Sequence, residues 1–241
     1  MKNMDLRVHA TRDFDRAKTK GRQRNLVQDI VDECVRKRID ICTVTNLDNG
    51  HSELIRSYIE NLPEGYTFAD IGRGVYSFKV DEHPDNIYLI ESHVQRVNEG
   101  GISFDCLVVG RSSNMTDGLV KIITNPNYPN NICPSKVFPV LNKFDAIEVY
   151  GAHSDEKVND LAESLAYSFG WAGISSSGAK RIRDIGDGYT LINDSFIDYG
   201  DGNGLLNSLR DYLKERRDSG ISMNYDLGLP FFKRIKSRLF S

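Results

Sequence analysis

Asp5, Arg7 and His9 stand at alternate positions in the stretch DLRVH, so an extended strand turns all three toward one face. A carboxylate and an imidazole at a strand end can hold a divalent ion or move a proton. A guanidinium between them instead attracts an anion. Far downstream, the run SSSGAKR gathers Ser177, Lys180 and Arg181 in a turn rich in hydroxyl and backbone donors, with Arg183 close by. Positive charge beside such donors is suited to a phosphate group.

The remaining histidines, His51, His83, His93 and His153, lie in polar surroundings. His153 with Asp155 in AHSD, or His51 with Asp48 in DNGH, offers ligands from neighbouring loops, but no spacing is diagnostic of a metal site. Surface or capping roles are expected for them. The four cysteines, Cys34, Cys42, Cys106 and Cys133, include no C-x-x-C pair and sit in or beside apolar segments. They read as buried free thiols in a reducing compartment.

Short β-rich runs alternate with helical patterns: DLRVH, LVQDIVDECVRKR, IDICTVT and SELIRSYIENL in turn. That order points to parallel strands covered by helices. Further strands read at GVYSFKV, NIYLIES, FDCLVVG, LVKIITN, AIEVY, WAGIS and GYTLI, enough for a barrel. The helix after AIEVY is expected to be capped by Ser154, to carry Asp155 and Glu156 in its first turn and to close at Gly170. Val158, Leu161, Ala162, Leu165, Ala166 and Phe169 form its apolar stripe. A last helix is expected from Gly204 to Arg217, with Leu205, Leu206, Leu209 and Leu213 inward.

With 34 acidic against 31 basic residues and a formal charge of −3, the chain is no globally basic nucleic-acid binder, although a local basic patch is permitted. Its 241 residues suit one large α/β domain, placed at 1–220, followed by a basic amphipathic tail at 221–241. Within that tail Phe231, Phe232, Ile235 and Leu239 share a helical face beside the basic Lys233, Arg234, Lys236 and Arg238; docking on the barrel, on a second copy or on a protein partner through residues 229–241 is expected, with an anionic membrane surface as the alternative. The loop TRDFDRAKTKGRQR is the one other basic run. No apolar run approaches the ~18 residues of a membrane span, and the N-terminus lacks a signal-peptide pattern, so a cytoplasmic protein is expected.

The order DLRVHATRDFD, IDICTVTNLDN, NPNYP, FDAIEVY, LAESLAYSFGW and SSSGAKRIRDIGDGYTLI resembles the PHP (polymerase and histidinol phosphatase) superfamily over roughly residues 4 to 218. The resemblance implies an α/β fold, a distorted (β/α)7 TIM-like barrel, with the site at the C-terminal ends of the strands. Active members are phosphoesterases that use His, Asp and Glu to hold divalent ions, here Mn, Zn or Fe, which generate hydroxide.

Followed along that pattern, the D-x-H-x-H opening becomes Asp5, Arg7 and His9. The T-D-H element becomes Thr45, Asn46 and Leu47, and Tyr76 takes the place of a bridging glutamate. Asn125 replaces the histidine of A-H-P, and G-S-D-A-H becomes SSGAK, with Gly178 and Lys180 at two ligand positions. By resemblance, only His9 remains a strong metal ligand.

The expectation is a catalytically inactive PHP-like protein with no metal. Its basic mouth, drawn from Arg7, His9, Asn46, Tyr76, Asn125, Ser177, Lys180 and Arg181, binds a phosphate-bearing small molecule, RNA or a protein. RNA enters because a branch of the superfamily serves in ribonuclease P. The alternative is a metal-dependent phosphoesterase with a rearranged ligand set using His9 and Asp5. A further possibility is that Arg7 and Lys180 merely pair with Asp5, Asp48 or Glu148.

Overall fold

The computed structural model describes residues 1–9, 13, 26–46, 62–99, 102–111, 119–127, 139–140 and 142–218. Expectations for the basic loop (Asp13 apart), the helix at 52–62 (Leu62 apart), Asp48, His51, Cys133 and the tail 221–241 lie outside the described residues.

The chain builds ten described strands: β1 (Lys2–Val8), β2 (Ile41–Asn46), β3 (Tyr66–Gly72), β4 (Val75–Val80), β5 (Ile87–Glu99), β6 (Ile102–Val109), β7 (Val120–Asn127), β8 (Ala146–Gly151), β9 (Gly173–Ser176) and β10 (Thr190–Ile192). Three described helices accompany them: α1 (Leu26–Lys37), α2 (Glu156–Phe169) and α3 (Gly202–Asp218). Eight strands, in the order β10-β1-β2-β5-β6-β7-β8-β9, form a nearly closed barrel, and β3 and β4 extend the sheet beside β5.

Direction is where the expected alternation of parallel strands and helices gives way. β1, β2 and β5 run parallel, as do β7, β8 and β9, but β6 is antiparallel to both its neighbours and β10 is antiparallel to β1. The cause is connection length. Only residues 100–101 separate β5 from β6, whereas a parallel crossover needs about a dozen or more. β3 was not legible as a strand: its sequence YTFADIG lacks alternation, and it pairs only with β4.

The helices follow from their spacing. In α1, Leu26, Val27, Ile30, Val31 and Cys34 recur on one face and are buried against Cys42, Val44, Phe78 and Leu89. Asp29 in the first turn and Arg36 and Lys37 in the last complement its dipole. In α2 the cap is Asp155 rather than Ser154: its side chain accepts from Lys157 N at 2.9 Å. Gly170 closes the helix in the left-handed conformation (φ 65°), as its type allows. Ala162 and Ala166 are buried while Val158, Leu161 and Leu165 are half-buried.

α3 carries Leu205, Leu206, Leu209 and Leu213 inward, as expected. They join Met4, Ile41, Tyr88, Val120, Ile122 and Ala146 in one apolar cluster. Those partners stand at the starts of their strands, so α3 stoppers the N-terminal end of the barrel. At roughly 1.5–3 kcal/mol per fully buried aliphatic side chain, the four leucines alone hold this helix firmly. Cys34, Cys42 and Cys106 are buried free thiols, in line with the sequence reading.

Candidate functional site

Period-two alternation along each strand sends every second side chain into the lumen. On β2 the inward series is Ile41, Thr43, Thr45; on β5 it is Tyr88, Ile90, Ser92; on β7 it is Val120, Ile122, Thr124. Ala146 is followed by Glu148 on β8, and Ile174 by Ser176 on β9. Each series begins apolar and turns polar at the C-terminal end. Thr43, Thr45, Ser92, Thr124, Glu148 and Ser176 are all buried, so the upper lumen is a polar chamber above an apolar floor. The Thr45 and Ser92 hydroxyls bond each other at 2.9 Å.

β1 supplies the charged roof through a bulge. Asp5 stands opposite Cys42 and Val8 opposite Val44, three steps against two. The extra residue breaks the alternation that a regular strand imposes, and Asp5 and Arg7 no longer work on the same groups. Arg7 reaches across the lumen: Nη1 donates to Glu148 Oε2 at 2.5 Å, and Nε donates to His9 Nε2 at 3.2 Å. Glu148 is only 4% exposed, and its other oxygen accepts from the Ser176 hydroxyl. The expected counterion role of Glu148 toward Arg7 is therefore what the side chains do.

His9 is 8% exposed, and its backbone N–H donates to Ala179 O at 2.8 Å. Because Nε2 accepts from Arg7, the ring proton belongs on Nδ1. That nitrogen is buried without a hydrogen-bond partner among the described residues. Burial, reinforced by the charges of Arg7 and Lys180, pushes the imidazole down to about 4, so it is neutral at ordinary pH.

Asp5 leaves the chamber. It is fully buried, and it accepts from Ser177 N at 3.0 Å and Gly186 N at 2.9 Å. Burial pushes its carboxyl up to about 6, against the lowering effect of these donors. Asp5 meets Arg7 only through the Arg7 backbone N–H, at 3.4 Å, and the bulge turns its side chain to the other side of β1 from the Arg7 guanidinium. Lys180 is exposed and forms no ion pair among the described residues, yet it follows Ala179 directly and its charge is felt at His9. Arg181 is half-buried at the start of a short 3-10 turn, Ile182–Asp184. Gly178, at φ 60°, makes the left-handed turn that leads into Lys180.

Asn46 and Asn125 lie toward the C-terminal ends of β2 and β7, at the same end of the barrel as His9 and Ser177. Tyr76 does not join them. On β4 it faces the α1 side with Leu89, while its neighbour Val75 faces the lumen. Its hydroxyl donates to Glu91 Oε1 at 2.7 Å, and Glu91 also receives Arg111 at 2.6 and 2.9 Å. This network ties the β3–β4 hairpin to the barrel, and it holds Tyr76 on the side of β4 away from the lumen.

The chamber does not fit a divalent ion. The His9 Nε2 lone pair and one Glu148 oxygen are already engaged by a guanidinium, which itself occupies the space between them. A metal there would be repelled by Arg7 at hydrogen-bond range. Among the described residues, one group has the reach to hold a cation, His153 with Asp184 and Asp187. Lys37 already binds Asp187 at 2.7 Å, and His153 meets Asp187 at 3.3 Å rather than the helix-capping Asp155.

Sequence reasoning placed Arg7, His9, Glu148, Ser177 and Lys180 in play but missed Ser176 and the threonine lining. The readable signal was the apolar-to-hydroxyl switch at spacing two, I-x-T-x-T in β2, Y-x-I-x-S in β5 and V-x-I-x-T in β7. Compared with known proteins, the chain matches no family model and no curated protein sequence.

Proposed function

We propose that this chain is a PHP-like barrel whose metal centre has been replaced by the Arg7–Glu148 ion pair, and that its mouth binds a phosphate-bearing ligand without hydrolysing it. The observation that carries this reading is the buried His9 Nδ1, a donor without a partner beside an exposed lysine and a fixed guanidinium. Leaving such a donor unmet costs about 1–3 kcal/mol, a penalty that an oxyanion acceptor removes.

Charge placement supports an anion. Arg7 pairs with Glu148 and Arg183 with Asp184, so the positive charge offered nearest His9 is that of Lys180, with Arg181 next to it. Glu148 keeps Arg7 oriented, and Ser176 keeps Glu148 oriented. Hydrolysis needs an activated water, and in this family a metal supplies it. Here the His9 imidazole, the one in the chamber among the described residues, is held neutral with its Nε2 lone pair already accepting from Arg7.

The test is calorimetric titration of inorganic phosphate into chelator-treated protein. Binding is expected, weakening as salt rises, and lost in Lys180→Gln and in His9→Phe. Titrations that show no heat at any salt concentration, or binding that appears only after adding manganese or zinc, contradict the reading.

A further inference from the structure

The cations at the mouth ride on one loop, residues 177–186, and the polar fixings of that loop come from a single stretch of chain. Asp5 accepts from Ser177 N at its start through Oδ1, which also accepts from Arg7 N at 3.4 Å, and from Gly186 N at its end through Oδ2. Between them, Ala179 forms a parallel bridge with Val8 and receives the N–H of His9, so these polar ties, unlike the apolar packing, come from residues 5–13. Asp13 accepts from Ile182 N at 2.7 Å. Ile182 and Ile185 anchor the loop in the apolar layer beneath α1. Gly186 takes a left-handed conformation (φ 73°) close against Ile39 and Lys37, so the end of the loop is tightly seated where Asp5 grips it.

We infer that Asp5 is the positioning residue of the mouth: its carboxylate clasps both ends of the 177–186 loop and so holds Lys180 beside His9, with Asp13 as a second tie at Ile182. This rests on the anion-binding reading for its functional meaning. It also reverses a naive expectation. By charge alone, removing a carboxylate near a cationic mouth strengthens anion binding. A positioning role demands the opposite sign.

Asp5→Asn preserves shape but exchanges one acceptor for an NH2, which confronts either the Gly186 N–H or the N–H groups of Ser177 and Arg7. Two measurements on the full chain decide the matter: amide hydrogen exchange at Ser177 and Gly186 without ligand, and calorimetric affinity for inorganic phosphate. The expected result is faster exchange at both amides with phosphate affinity reduced at least tenfold. Lys180→Gln should abolish phosphate binding with exchange at 177 and 186 unchanged. Unaltered exchange in Asp5→Asn, or phosphate binding as tight as or tighter than that of the native chain, overturns the inference.

If the native chain binds no phosphate, the anion reading fails by itself, and the exchange data alone then decide whether Asp5 holds the loop. Should Asp5→Asn not fold, Asp13→Asn takes its place. Faster exchange at Ile182 with about threefold weaker phosphate binding is expected, and no change in either overturns the role of these carboxylates.

Discussion

Replacing Arg7 with methionine removes the guanidinium while keeping much of the apolar stem. Glu148 is then left with the Ser176 hydroxyl as its described polar partner, in a position where its side chain is 3% exposed. Charges about 4 Å apart attract by about 4 kcal/mol at an effective dielectric of ~20. Breaking a buried pair by removing one partner costs about 3–5 kcal/mol. Against a total stability of about 5–15 kcal/mol, that is a large fraction. Glu148→Gln alone should also destabilise, because it removes the buried carboxylate that pairs with Arg7, whose side chain is 12% exposed. The double variant Arg7→Met with Glu148→Gln removes both charges and should recover most of the loss. A double-mutant cycle by urea denaturation, at constant slope, is expected to give a coupling of about 2–3 kcal/mol. Additive single effects, or an Arg7→Met chain within about 0.5 kcal/mol of the native one, refute the claim that this pair is the centrepiece of the lumen.

Two further outcomes concern groups around it. Asp5, raised to about 6, binds its proton more readily folded than unfolded, so its contribution to stability rises as pH falls from 7 toward 4. His9, lowered to about 4, does the reverse: its contribution is lost as pH falls from about 6.5 to 4. Each effect is worth about 3 kcal/mol, at ~1.4 kcal/mol per unit, and they oppose each other. Relative to the native chain, His9→Asn should therefore gain stability toward pH 4 and Asp5→Asn should lose it; urea midpoints at pH 4.5 and 7 check this, and parallel profiles contradict it. At α2, Asp155→Ala should cost about 1 kcal/mol and Ser154→Ala markedly less, because Asp155 makes the cap bond; equal thermal shifts for the two contradict that assignment.

Much of the scaffold was legible because its signals are local. The spacing of Leu26, Ile30 and Cys34, or of Leu205, Leu209 and Leu213, fixes a helix and its inner face without reference to anything distant. Strand direction was not legible in the same way. Nothing in NIYLIES or FDCLVVG states that β6 runs backward; the sign lies in the two-residue gap after Glu99, visible only once β5 is known to extend that far. The site divides similarly. Arg7, His9 and Lys180 were singled out because they stand in a recognisable order, and Glu148 because the same order places it on a strand as a natural counterion. The bulge between Asp5 and Val8 is a register effect with no residue signature, and it parts Asp5 from His9. Tyr76 faces away from the lumen for a related reason: in a strand, a shift of one position changes the face, and Val75 takes the inward one.

The most direct test is metal content by elemental analysis, after incubating the purified chain with excess manganese or zinc and removing unbound ions. With Arg7 as the resident cation of the chamber, the native chain and His9→Ala should retain the same amount of metal, far below one ion per chain. Near-stoichiometric metal in the native chain that disappears in His9→Ala contradicts this and restores His9 as a ligand of a phosphoesterase centre.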